Sequence, residues 1–368
     1  MKIFTDTGRN KLLSLPLSIT HFIYTLFSFF CFSISFSFCF FFSLMLLFLL
    51  PAEAAQTESK TASGPESYYT RASGSLETEI CAALKKEFDS LKKTKYSKKY
   101  IFAAVADVKD GRVIFTNSRE FYIKNKISPG SIIKIFDYAL ILKHIKNAEY
   151  NIFYCRDNLY AGGRRYNCSQ KGGHGELYLE AAFYRSCNLY FKNYMQKIKR
   201  REFTAALKKC GFINETAEKK ILLATQDQYL QSVIGDKNIE VTPEKLIELI
   251  RFFAAGDSAL KPLPIGYYEV FNTAAREKIN AAMRGVAING TAAAALNGLN
   301  CAAKTGSVSV STRIENNKKI ILTTAVFLGY APYANPKYAV ITFCETGAGG
   351  TDGAFIAARL LSAAGPGL

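Results

Sequence analysis

The 368-residue sequence has no tryptophan and no Cys-x-x-Cys pair, so the usual zinc-site spacing is missing. Acidic residues are scarce, 30 against 47 basic ones, and the formal net charge is +17. Glycine (25) and proline (10) stay at ordinary levels, which argues against a collagen-like or low-complexity chain. No internal repeat is evident, which argues against a repeat architecture. No basic run is interleaved with aromatic residues, so the positive charge does not read as a nucleic-acid site. From Leu12 to Leu50 there is no charged residue at all.

That charge-free run is longer than the roughly 7–15 residues of a secretory core and than the roughly 20 needed to span a bilayer. Lys2, Arg9 and Lys11 precede it, which puts the N-terminal end on the cytoplasmic side. "PAEAA" follows, with Ala52 and Ala54 in the small-residue pattern of a signal-peptidase site. Residues 1–54 are therefore expected to be a signal peptide or a membrane anchor, and both forms stay open. The first fifty residues carry +2, which leaves +15 beyond them. Behind an export signal, such a field favours wall polymer or lipid head groups as partners and no nucleic acid.

Two of the nine cysteines, Cys31 and Cys39, lie in the apolar run and seven lie beyond it. Their spacing sets zinc aside, so the expectation is no metal and no cofactor. Cys155 and Cys168 flank a Gly/Arg-rich loop and are candidates for a disulfide in an oxidising envelope.

Residues 55–75 are polar and rich in Ser and Thr, the composition of a flexible linker. A catalytic domain is expected over 76–368. Ser75, early acids, late lysines and Ile80, Leu84 and Phe88 at helical spacing predict a first helix. Two strand-like runs around Asp110-Gly111 predict a hairpin. The segment 145–260 reads as mostly helical with loops. "TPEKLIELIRFFAAG" carries a proline at its first turn and a glycine stop. "CAAKTGSVSV", "KIILTTAVFLGYA" and "KYAVITFCE" read as strands, and "DGAFIAARLLSAAG" as a closing helix. The fold class this order supports is α/β (α+β): a central antiparallel sheet built from both ends of the domain, flanked by the terminal helices, with a mostly helical lobe between.

Within "ISPGSIIKIFDYALIL", Pro129-Gly130 breaks the chain and places Ser131 on the first turn of a new helix, where partial positive charge favours an alkoxide. Lys134 follows at i+3, on the same face. Ile132, Ile133, Ile135 and Phe136 surround it, and such desolvation lowers an amine's pKa until it serves as a general base. The same spacing recurs at Ser90–Lys93 and Ser258–Lys261, both of which read as surface. "FYRSCNLYF" places Ser186 and Asn188 two residues apart, an arrangement suited to relaying a proton and binding an amide. In "CAAKTGSVSV", Lys304 and Thr305 offer a cation and a hydroxyl to a carboxylate. Gly306 lets a peptide lie against the strand edge, and Ser307 contributes a backbone N–H that pairs with that of Ser131 as an oxyanion hole.

Ser-x-x-Lys, Ser-x-Asn and Lys-Thr-Gly, in this order, resemble the three motifs of the serine penicillin-recognising enzymes. "SPGSIIK", "GGHGELYLEAAFYRSCNLYF", "VTPEKLIELIRFFAAGD", "AMRGVAINGTAAAA", "AKTGSVSV" and "FLGYAPYANPKYAVITF" resemble the transpeptidase domain of penicillin-binding proteins over roughly residues 100–360. The resemblance implies acylation of Ser131 by D-Ala-D-Ala stem peptides of peptidoglycan, and by β-lactams as inhibitors. It implies Lys134 as base, Ser186 as relay, Asn188 on the acyl side chain, and Lys304 and Thr305 on the terminal carboxylate. It implies a place in the cell envelope, on the periplasmic side of the membrane. His174 is expected to be structural and Cys187 to be filler.

The chain departs from the larger family members, because only a linker and one helix precede the first hairpin, where they carry a pedestal. That leaves room for envelope protein partners that position the domain. The alternatives are a D,D-carboxypeptidase or β-lactamase of the same superfamily, or a catalytically idle binding partner. One lactamase class resembles a chain that relies on a tryptophan, absent here; the Glu-x-x-x-Asn signature of the other is not found where expected.

Overall fold

The computed structural model describes residues 75–260, 262–315 and 318–365. The apolar run and most of the polar linker lie outside the described residues. Helix α1 (Ser75–Lys92) buries Cys81, Leu84, Phe88 and Leu91, a stripe at helical spacing, with Glu77 in its first turn and Lys92 in its last. Strands β1 (Ile101–Asp107) and β2 (Val113–Thr116) form the expected hairpin. Gly111 supplies a positive φ of +72° in its turn, while Asp107 Oδ1 accepts from the N–H groups of Lys109 and Asp110.

Three strands from the other end of the domain complete the sheet. They are β7 (Ala302–Glu315), β8 (Lys318–Ala331) and β9 (Tyr338–Cys344), and the order is β2-β1-β9-β8-β7 with every pair antiparallel. Residues 101–106 of β1 are all buried, so helices cover both faces of the sheet at its centre. The closing helix α12 (Ala354–Ala364) packs on α1 and on β9. The fold class expected from the order of these elements is therefore the one observed.

Between the two halves of the sheet runs the helical lobe. Short α2 (Arg119–Lys124) leads to a tight 3₁₀ turn, Gly130–Ile133, and then to α3 (Lys134–His144), whose residues 134–141 are all buried. Around it stand α4 (Leu179–Tyr184), α5 (Asn188–Met195), α6 (Arg200–Lys209), α7 (Glu215–Leu223), α8 (Gln226–Val233), α9 (Pro243–Ala255), α10 (Ile265–Val270) and α11 (Thr273–Ile288). In α9, Thr242 caps the N-terminus and Pro243 opens the first turn. Among the described residues no helix is long and apolar enough to cross a membrane.

The segment expected to be a Gly/Arg-rich loop is instead built of strands. β3 (Phe153–Cys155) pairs with β6 (Gly175–Leu177), and between them β4 (Asn158–Ala161) and β5 (Arg164–Asn167) form a hairpin. Gly162 and Gly163 both have positive φ, +54° and +75°, as a two-residue hairpin turn demands. The disulfide expected here is not formed. The sulfurs of Cys155 and Cys168 are 3.6 Å apart, well beyond an S–S bond of about 2.05 Å, and every cysteine among the described residues is free.

Candidate active site

Ser131 lies on the 3₁₀ turn and Lys134 begins the helix after it. In a 3₁₀ turn residues three apart eclipse, so this junction sets the two side chains on one side more directly than an α-turn would. Gly130 enters the turn at φ +55°, and a Cβ on it would meet Val308 Cγ2 at 2.9 Å and the backbone N of Ser307 at 3.3 Å. Gly306 faces the same turn, because a Cβ there would stand 2.6 Å from the carbonyl of Pro129. Two glycines thus let the third motif's strand lie directly against the turn that carries Ser131. On the turn's other side the Gly235 carbonyl accepts from the Gly130 N–H at 3.3 Å, and a Cβ on Gly235 would collide with the Gly130 carbonyl.

The amine of Lys134 is completely buried and reaches into the second motif. Its Nζ donates to the Ser186 carbonyl at 2.8 Å, to Asn188 Oδ1 at 2.5 Å and to Ser186 Oγ at 3.3 Å. Burial draws its pKa from the ordinary lysine value down to about 8. Ser186 itself holds φ +54°, a left-handed conformation that turns its hydroxyl and its carbonyl toward the same amine. Asn188 opens α5, and both residues are half-buried.

Lys304 closes the constellation from β7. It too is fully buried; its Nζ donates to Ser186 Oγ at 3.0 Å and to the Thr305 carbonyl at 2.9 Å. Burial first, and the neighbouring Lys134 second, hold its pKa well below the lysine range. The Thr305 hydroxyl lies 2.6 Å from that of Thr291. Ser307 is exposed, and its Oγ accepts from the N–H of Gly349 at 3.0 Å.

The structure brings together all eight candidates: Ser131 and Lys134 on one turn, Ser186 and Asn188 against Lys134, Lys304 against Ser186, and the 305–307 edge against Gly130. In the Ser90–Lys93 copy of the first motif, Ser90 on α1 and Lys93 just beyond its end are both exposed, as expected of a surface pair. Two contributors, Thr291 and Asp137, carried no assigned role in the sequence. Thr291 follows Gly290, whose missing Cβ lets the segment approach the Tyr184 carbonyl. Asp137 is fully buried one turn beyond Lys134, and neither carboxylate oxygen has a hydrogen-bond partner among the described residues. Its spacing of i+3 from Lys134 was visible, but nothing in the spacing distinguished it from a solvated acid.

His174 was expected to be structural and Cys187 to be filler. They meet Cys155 and Cys168 in one cluster whose four donor atoms all lie within 4.8 Å of one another. The four come from separate segments of the chain.

Residues 101–363 match the family described as the penicillin binding protein transpeptidase domain. No curated protein matches the chain by sequence. Among solved structures it is similar to a penicillin-binding protein (PBP2) from Helicobacter pylori in complex with MreC, at 19% identity and a TM-score of 0.62, covering 75% of this chain and 61% of that one. It is also similar to the transpeptidase domain of penicillin-binding protein 3 from Burkholderia pseudomallei, at 17% identity and a TM-score of 0.63, covering 78% of this chain and 93% of that one. A third is the D,D-transpeptidase domain of a peptidoglycan glycosyltransferase from Eggerthella lenta, at 17% identity and a TM-score of 0.59, covering 78% and 80%. At these identities the likeness is one of fold, and the chain spans about three-fifths of the Helicobacter chain's length.

Proposed function

The chain belongs to the penicillin-binding protein transpeptidase family, and from that premise we propose that it is a serine D,D-transpeptidase of the cell envelope acting on peptidoglycan stem peptides. The observation that carries the proposal is the buried amine of Lys134. With its pKa drawn down to about 8 and its Nζ on the second motif, it is a general base that neutral pH already partly unloads.

In this reading Ser131 Oγ attacks the carbonyl carbon of the D-Ala-D-Ala bond, and Lys134 accepts its proton. The N–H groups of Ser131 and Ser307 hold the developing oxyanion. Ser186, whose Oγ contacts both amines, passes a proton to the leaving nitrogen. Asn188 holds the acyl side chain, Lys304 and Thr305 fix the terminal carboxylate, and Gly306 leaves room for the peptide beside the strand. An amine of a second stem peptide then takes the acyl group from Ser131. A β-lactam enters the same path and stops at the acyl-enzyme. The N-terminal run serves as anchor or export signal, and an envelope protein positions the domain, in keeping with the MreC complex of the Helicobacter protein.

Labelling with a fluorescent penicillin tests the assignment. Wild type forms a covalent adduct that persists for many minutes, and Ser131→Ala forms none. Label retained by Ser131→Ala removes the nucleophile; label shed within seconds makes the protein a lactamase.

A further inference from the structure

We propose that Cys155, Cys168, His174 and Cys187 bind one divalent zinc-class ion, and that this ion positions the second motif. Four of the donor separations are individually resolved. Cys155 Sγ is 3.6 Å from Cys168 Sγ and 3.7 Å from Cys187 Sγ, and His174 Nδ1 is 3.6 Å from Cys155 Sγ and 3.2 Å from Cys168 Sγ. A tetrahedral ion with Zn–S of about 2.3 Å and Zn–N of about 2.0–2.1 Å requires edges of roughly 3.6–3.8 Å. Three of the four separations match those edges, the His174–Cys168 one is shorter, and all four donor atoms lie within 4.8 Å of one another. Three thiols and an imidazole form a soft donor set, suited to zinc and poor for magnesium or calcium.

The surrounding chain is shaped to bring these donors together. Cys155 ends β3, Cys168 follows β5, and His174 precedes β6, so the small strands deliver three donors to one end. Gly173 takes φ +82°, and a Cβ on it would collide with the Cys155 carbonyl, so only glycine lets the backbone bring His174 this close. Cys155 and Cys187 are almost wholly buried, which leaves two thiols of the four donors without solvent. A Cys155–Cys168 disulfide is the competing use of these groups. It would leave Cys187 and His174 unused, and the sulfurs sit at coordination distance rather than bonding distance.

The fourth donor ties the cluster to the chemistry. Cys187 stands between Ser186 and Asn188, the two residues that receive the Lys134 amine. A bond from the ion to Cys187 Sγ holds the backbone of the second motif to the β3–β6 platform and sustains the left-handed turn at Ser186. Cys187 is thus a positioning residue. This coupling rests on the function proposed above; the metal site itself does not.

The test uses the full chain, purified without a histidine tag. Elemental analysis is expected to give about one zinc per chain. After chelation under reducing conditions, titration with cobalt(II) chloride should produce the intense visible bands of a tetrahedral ion and a sulfur-to-cobalt charge-transfer band. Cys168→Ala, remote from the motif residues, should weaken cobalt binding by more than the roughly 10–100-fold that losing a ligand's supporting partner costs. Cys168→His, which restores a donor, should recover it. Acylation by fluorescent penicillin should fall in the chelated enzyme and in Cys168→Ala, and return with zinc and in Cys168→His. A reduced chain that gives no cobalt bands, or a Cys155–Cys168 disulfide found by mass spectrometry in the native protein, overturns the site. Metal bound as expected with acylation indifferent to it overturns the positioning role alone. Metal bound with no acylation under any condition indicts the proposed function instead.

Discussion

Lys134 and Lys304 share one acceptor: the Oγ of Ser186 stands 3.3 Å from the first amine and 3.0 Å from the second. Both amines are fully buried, and Lys134 lowers the affinity of Lys304 for a proton. A single hydroxyl between two such groups is placed to take a proton from one side and deliver it to another. The order of the three motifs along the chain gives no hint of this bridge; only the antiparallel return of β7 beside the lobe creates it.

Lys134→Arg should form a folded protein that fails to acylate. The guanidinium keeps its proton throughout the accessible pH range, so the general base is lost, at a cost of about 10²–10⁴ in rate. Stopped-flow labelling with fluorescent penicillin measures it, and a near-normal rate would remove Lys134 as the base.

The acylation rate should rise with pH and level off above a midpoint near 8. The amine is active only when neutral, so protonation below that point switches it off. The stability term has the same sign. A lysine whose folded pKa is lowered binds fewer protons than the unfolded chain between about 8 and the ordinary lysine value, so stability increases with pH through that window. A rate flat from pH 6 to 9 would contradict the assignment.

Ser186→Gly should fold at least as stably as Ser186→Ala, by about 1 kcal/mol or more, because glycine adopts φ +54° freely. Both variants lack the shared hydroxyl and should acylate roughly 10²-fold more slowly. Denaturant midpoints and labelling rates together separate the backbone effect from the proton relay.

Gly306→Ala is expected to act through position. Its Cβ, 2.6 Å from the Pro129 carbonyl, must push β7 and the Ser131 turn apart. A displacement near 1 Å costs about 10² in rate, while the hydroxyl and both amines remain present. Normal acylation by this variant would show that the strand does not have to touch the turn.

Asp137→Leu should stabilise the protein by about 1–3 kcal/mol near neutral pH, because it removes a buried carboxyl without partners among the described residues. Burial raises this group's folded pKa well above the carboxylate range, so it folds neutral while the unfolded chain ionises above about 4. The penalty therefore grows as pH climbs, and the gain from leucine should be larger at pH 7 than at pH 4. Thermal melts at both values test it.

Much of this arrangement was written locally. The short apolar runs of 101–107 and 338–344, the stripe of α1 and the Thr-Pro start of α9 each follow from nearest-neighbour chemistry, and they pointed to one sheet built from both ends of the domain, though not to its strand order. The three motifs were legible because each is a short fixed spacing. The cysteine cluster was not, because Cys155, Cys168, His174 and Cys187 converge only through strand pairing, and their separation in sequence resembles no metal motif. The β4–β5 hairpin did carry a local sign, the Gly162-Gly163 pair, but arginines on both sides of it disguised the strands as a basic loop. Asp137 was hidden for the opposite reason: its burial is a property of the whole lobe, not of the residues beside it.

One of the atoms that seats Lys134 is the main-chain carbonyl of Ser186. No substitution deletes a carbonyl, so that anchor survives any change of side chain at position 186. Selection against β-lactam attack would therefore have little purchase on where the amine sits. It would have to act on the shape of the entrance or on the pace of deacylation, leaving the base in place for the natural substrate.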